Sequence, residues 1–104
     1  NHPCSVWVRQ SAKHYEWLYE HFLALINEYK FRYDNKPHKC EALIPHLKNT
    51  PQNISQTNFV DPPAAMDDKY IISKNVVENY RNYYKFGKKH LHKWSIREAP
   101  SWIT

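Results

Sequence analysis

The sequence predicts an all-α protein. Three observations point there. Ser11–Tyr33, SAKHYEWLYEHFLALINEYKFRY, is a long periodic segment free of Pro and Gly. Ser73–Trp94 repeats the helical spacing. The chain has one Gly in 104 residues and no long alternating β-branched run, so the turns and strands of a β-sandwich lack their material. The expected architecture is one helical domain over 1–104. It has three principal helices at about 11–33, 39–48 and 74–94, a short N-terminal helix and a long irregular loop over 49–68.

In NHPCSVWVRQ, Pro3 holds His2 extended and suits the first position of a helix. Pro3–Arg9 is therefore a short helix with Trp7 turned to the core. In the long helix, Tyr15, Leu18, Phe22, Leu25, Ile26, Tyr29 and Tyr33 recur by threes and fours and make one broad stripe. Lys13, Glu16, Glu20, Asn27 and Lys30 fall on the other side. Ser11 is the expected N-cap, its hydroxyl accepting from a first-turn N–H that has no helical partner. Asp34-Asn35-Lys36-Pro37 is a stop.

His38–Lys48 repeats the stripe with Cys40, Leu43, Ile44 and Leu47. Pro45 removes a backbone bond there, so this helix is kinked or starts only at residue 44. Asn49–Asp68 holds three prolines and many polar residues. A segment that long without structure is functional or wrapped over the helices. Ile54, Phe59, Val60 and Met66 are its expected apolar anchors, and such a loop can wall a cleft. Ser73 is the expected cap of the last helix, with Val76, Val77, Tyr80, Tyr83, Tyr84, Leu91 and Trp94 inward. Gly87 costs about 1 kcal/mol inside a helix and marks a break near Phe86-Gly87. Trp102 and Ile103 close the irregular tail as a peg.

Aromatic residues make up 15% of the chain, with eight Tyr and four Trp, so the core has many polar edges. No apolar run reaches the length of a membrane span and no signal-peptide pattern is present, so a cytoplasmic protein is expected. Cys4 and Cys40 can pair, although buried thiols suit that compartment better. Asn1 is not a usual mature start, so a piece of a longer protein is expected. His2 with Cys4, and His38 with Cys40, look like ligand pairs, but neither has the spacing of a zinc site. No metal or cofactor is expected.

The formal net charge is +5 and it is uneven. Residues 1–68 hold seven Lys and Arg against eight Asp and Glu, whereas residues 69–104 hold eight against two. Such asymmetry suggests a polyanionic partner, although a lysine-rich helix face is often merely solvated. Lys74, Arg81, Lys85, Lys88, Lys89, Lys93 and Arg97 interleave with Tyr80, Tyr83, Tyr84 and Trp94. Arg81, Lys85, Lys88 and Lys89 make a ridge. Cations can meet phosphates, and a ring such as Tyr84 can stack on an unpaired base. Tyr at helical spacing is, as a rule, core. A second candidate is a cleft with His14, Glu16, Glu20 and His21, residue types able to do acid–base chemistry, although surface histidines beside glutamates are the commoner case. No nucleophile elbow, P-loop or zinc-protease motif is present.

The order Asn1-His2-Pro3, Tyr15-x-Trp17-Leu18, Tyr80-Arg81-x-Tyr83-Tyr84 and Pro100-x-Trp102 spans nearly the whole chain. It resembles the C-terminal portion of a family of small uncharacterised proteins of phages and aquatic microbes. More distantly, the arrangement is similar to phage pyrimidine-dimer DNA glycosylases, small helical repair enzymes. Their nucleophile is an N-terminal amine paired with a Glu on an early helix, and neither maps onto this sequence. The resemblance implies a helical fold and a DNA-related context, and it transfers no catalytic residue. The function expected is nucleic-acid binding within a phage-type DNA-processing or repair protein. The alternatives are a small enzyme on a nucleotide or modified base, and a structural or protein-interaction module. Oligomeric state and substrate stay open.

Overall fold

Helices α1 (Pro3–Arg9), α2 (Ala12–Arg32), α3 (Ile44–Leu47) and α4 (Val76–Gly87) carry the fold, joined by 3-10 turns, with no strand among the described residues. The structure is a computed structural model and describes residues 2–103. Contacts divide the chain into two compact units, Asn1–Val60 and Asp61–Thr104.

In the first unit, α1 starts at Pro3, whose missing N–H has no helical partner to lose. His2 caps it, its Nδ1 accepting from the Cys4 N–H at 3.0 Å. His38 does the same for Cys40 at 3.0 Å, opening the 3-10 turn Lys39–Leu43. The two His-x-Cys pairs are thus capping devices. Among the described residues no three potential ligands gather. Cys4 and Cys40 are half-buried thiols.

Ser11 caps α2 as expected. Its backbone is extended, with φ −155 and ψ 143, and its Oγ accepts from the Lys13 N–H. The same hydroxyl donates to the Thr57 carbonyl at 2.7 Å. The Ala12 N–H, a first-turn donor without a helical partner, donates to the Ser55 carbonyl at 2.8 Å. The helix runs on to Arg32 and stops where Asp34 and Asn35 take φ 55 and 64, left-handed values that Asp and Asn tolerate. Glu28 accepts from Arg32 one turn on, and Lys30 pairs with Glu41. Tyr15 ties α2 to α3, its hydroxyl donating to the Leu47 carbonyl at 2.7 Å. Pro45 sits in the first turn of α3, so the true α segment begins at Ile44 and 3-10 geometry precedes it.

The core differs from the expected stripe. Among the described residues Trp7, Ala12 and Ile26 are the buried apolar ones, whereas Leu18, Leu25 and Tyr33 are 42%, 55% and 50% exposed. The reason is that residues 55–60 cross only the start of α2, at Ser11, Ala12 and His14, and stop short of Leu18 and Leu25 farther along the same face. His14 is 1% exposed and stacks on Trp7, centroids 4.1 Å apart and planes 10° from parallel. Phe59 meets both rings edge-on. Trp7 Nε1 donates to the Val60 carbonyl at 3.0 Å, and the Val60 N–H donates to His14 Nε2 at 3.0 Å. Val60 therefore anchors through its backbone. Its side chain is 54% exposed, contrary to the apolar peg expected of it.

In the second unit, α4 is capped by Asn75 rather than Ser73. Asn75 Oδ1 accepts from the N–H groups of Val77 and Glu78. Ser73 Oγ instead donates to Glu78 at 2.7 Å and accepts from the Asn75 N–H, which braces the cap from outside. The helix ends at Gly87, short of the expected 94, and Lys89–Leu91 is a 3-10 turn. Crowding explains the glycine. A Cβ there would lie 2.8 Å from Tyr70 Cζ and 2.8 Å from Tyr83 Cδ1.

The polar ends of α4 side chains hold the irregular chain before it. Asn79, 4% exposed, accepts from the Ile72 and Ser73 N–H groups and donates to the Ser73 carbonyl. The Tyr80 hydroxyl donates to the Pro63 carbonyl and accepts from the Ala65 N–H. Asn82 donates to the Tyr70 carbonyl at 3.0 Å. Backbone polar groups of a non-regular segment need partners, and these side chains supply them. Of the expected inner residues, Val77 and Leu91 are instead 54% and 56% exposed. After residue 91 the chain is irregular, with Ile96 in a left-handed conformation at φ 63 that a β-branched residue disfavours.

Candidate nucleic-acid interface

Cationic and aromatic side chains gather along the exposed side of α4. Asn75 fixes the start of the helix, so residues one turn apart, Arg81 and Lys85, share a face. The 3-10 turn Ser101–Ile103 packs against this helix and brings Trp102 to the same place. The Arg81 guanidinium lies over the Trp102 ring, 5.4 Å from its centroid. Lys85 Nζ lies 5.4 Å over the Phe86 ring. Tyr84 meets the edge of Trp102 at 6.2 Å and stacks on His92 at 5.1 Å. His92 Nε2 donates to the Tyr84 carbonyl at 2.8 Å, which satisfies one of the last helical carbonyls. His92 in turn leans on Trp94 at 5.3 Å.

Between these groups is an open pocket of about 250 Å³ lined by Ile72, Glu78, Arg81, Asn82, Lys85, Phe86 and Trp102. Phe86 and Ile72 are 63% and 62% exposed. Two cations beside the exposed Phe86 ring and the half-buried Trp102 ring can meet an anion and a flat heterocycle together.

The predicted residues are only partly assembled. Arg81 and Lys85 share the pocket, with Tyr84 behind Trp102. Lys88 bends to the Tyr83 ring instead, 5.3 Å from its centroid. Lys89 is exposed in the 3-10 turn, Lys74 precedes α4, and Lys93 and Arg97 lie beyond the helical part. The single ridge of the sequence reading is therefore shorter, because the helix stops at Gly87. Trp102, Phe86, Asn82 and Glu78 complete the pocket and were not candidates. The Pro100-x-Trp102 spacing was the one available signal, and nothing local ties it to a helix some twenty residues upstream.

The second candidate cleft comes apart. Glu16 and Glu20 line a pocket of about 160 Å³ with Tyr15, Tyr19, Lys48 and Thr50. His21 lies instead in an apolar groove of about 270 Å³ with Tyr15, Leu18, Tyr19, Phe22, Leu25 and Leu47, its ring stacked on Trp17 at 5.2 Å. His14 is neither a surface group nor in a cleft, since it is buried with both ring nitrogens bonded to backbone. Seven residues of helix are nearly two turns, so 14 and 21 begin on similar faces, but the crossing segment 55–60 covers only the first.

No helix among the described residues is long and apolar enough to cross a membrane. No family model matches this chain, and no curated protein or solved structure matches it either.

Proposed function

We propose that residues 61–104 bind nucleic acid through the exposed side of α4. The observation that carries this reading is the convergence of Arg81 and Lys85 on one open pocket with Trp102 and Phe86. Lys88 and Lys89 extend the positive surface past the end of the helix. The last turn also suits cations, since its free carbonyls carry partial negative charge. The cations take phosphates and the rings take bases. The DNA-processing context implied by the phage-protein resemblance belongs to this proposal and sets the first ligand to try.

The test is binding of fluorescent DNA to the full chain over a range of salt. Each phosphate neutralised on a single strand contributes about 0.7 to the slope of log affinity against log salt. Changing Lys85, Lys88 and Lys89 together to Glu removes three cations, so the slope should fall by about 2. Binding that is unaltered in this triple variant ends the proposal.

A further inference from the structure

The pocket beside α4 offers more than positive charge. Its volume of about 250 Å³ is on the scale of one heterocyclic base. Rings and cations alternate in its lining, with Arg81 over Trp102 and Lys85 over Phe86. Bases stack on aromatic faces and on guanidinium planes alike. Both remaining polar side chains offer acceptors. Asn82 gives one Nδ2 hydrogen to the Tyr70 carbonyl, which orients the amide and leaves Oδ1 as an acceptor at the pocket. Glu78 accepts from Ser73 Oγ, and its carboxylate has no donor of its own to offer. Such an edge matches the exocyclic amino group of adenine or cytosine and opposes the carbonyls of thymine or uracil.

We propose that this pocket holds one unpaired adenine or cytosine of a single strand. Its ring stacks at Trp102 and Phe86, its amino group donates to Asn82 Oδ1 or Glu78, and its phosphate meets Arg81 and Lys85. The proposal rests on the nucleic-acid reading above. A duplex cannot fill the pocket, because its bases are stacked inside and their amino groups are paired.

The experiment measures affinity of the full chain for short oligomers of deoxycytidine and of deoxythymidine, for a duplex of the same length and for deoxycytidine monophosphate. The cytidine oligomer should bind best. Trp102→Ala should weaken it roughly 10-fold or more, since one base stack is lost, and should leave the salt slope unchanged. Trp102 also packs on Tyr84, so circular dichroism checks the fold of that variant. Phe86→Ala, at a position 63% exposed, carries the test if Trp102→Ala unfolds. Four results overturn the pocket assignment while salt-dependent binding stands: no effect of Phe86→Ala, equal affinity for cytidine and thymidine oligomers, tighter binding of the duplex, or monophosphate binding as tight as the oligomer. The last would make it a site for free nucleotide. No salt-dependent binding to any nucleic acid, with capture by vesicles of anionic phospholipid instead, overturns the underlying reading as well.

Discussion

His14 illustrates how a residue type with catalytic associations is used for packing. The Val60 N–H can only donate, so His14 Nε2 must accept. A neutral imidazole then carries its proton on Nδ1, which donates to the Trp7 carbonyl at 2.7 Å. That carbonyl has a second partner in the Gln10 N–H, whereas among the described residues the Val60 N–H donates to His14 alone. His14→Phe would keep a ring against Trp7 and orphan the Val60 donor. The expected cost is about 2 kcal/mol, the usual penalty of a buried unpaired backbone group. Urea unfolding measures it, and a loss below about 0.5 kcal/mol would contradict this role. Asn79 follows the same logic in the second unit, with its amide spent on the backbone of Ile72 and Ser73.

At the scale of elements, each unit is a helix holding an irregular strap. The strap on α2 is 55–60, and the strap on α4 is 63–73. Polar side-chain ends make these attachments, which is why a chain so rich in Tyr, Trp, Asn and His can fold around few buried apolar residues. The close approach of Tyr70 to the end of α4 depends on Gly87. Helix propensity alone favours Gly87→Ala by up to about 1 kcal/mol. The added methyl would meet two rings at 2.8 Å, and those rings already lean on each other at 4.9 Å. Overpacking of this kind costs about 1–3 kcal/mol, so the sign should be destabilising. A rise in thermal midpoint for Gly87→Ala would show that Tyr70 yields freely.

At the scale of the whole molecule, the charge pattern reads differently once the units are known. Asn1–Val60 holds seven Lys and Arg against five Asp and Glu, and Asp61–Thr104 holds eight against five. The asymmetry seen at residue 69 shrinks because Asp61, Asp67 and Asp68 belong with the basic helix rather than before it. Net charge is therefore a weak guide, and the placement of cations beside rings is the stronger one. This gives a control for the binding test. Lys13, Lys36 and Lys39 changed together to Glu alter the net charge as much as the change at Lys85, Lys88 and Lys89. If the α4 surface is the site, the Lys13, Lys36 and Lys39 variant should leave the salt slope nearly unchanged, because the slope counts only the cations that neutralise phosphates. Equal losses from both triples would point to diffuse attraction and away from a site.

Some of this was fixed by local chemistry and so was legible along the chain. The start at Pro3, the cap at Ser11, the stop at Asp34-Asn35, the late start at Ile44 and the break at Gly87 are each set by residues within a turn of one another. The all-α class followed from periodicity and from the scarcity of Gly. Tertiary structure alone decided the rest. It decided how far along α2 the crossing segment would reach, burying His14 and leaving Leu25 in water on the same face. It parted His14 and His21 from Glu16 and Glu20, and it carried Trp102 back to Arg81. Those outcomes depend on hydrogen bonds and ring contacts between residues far apart in sequence, and periodicity holds no information about which distant segment will cross a given helix face.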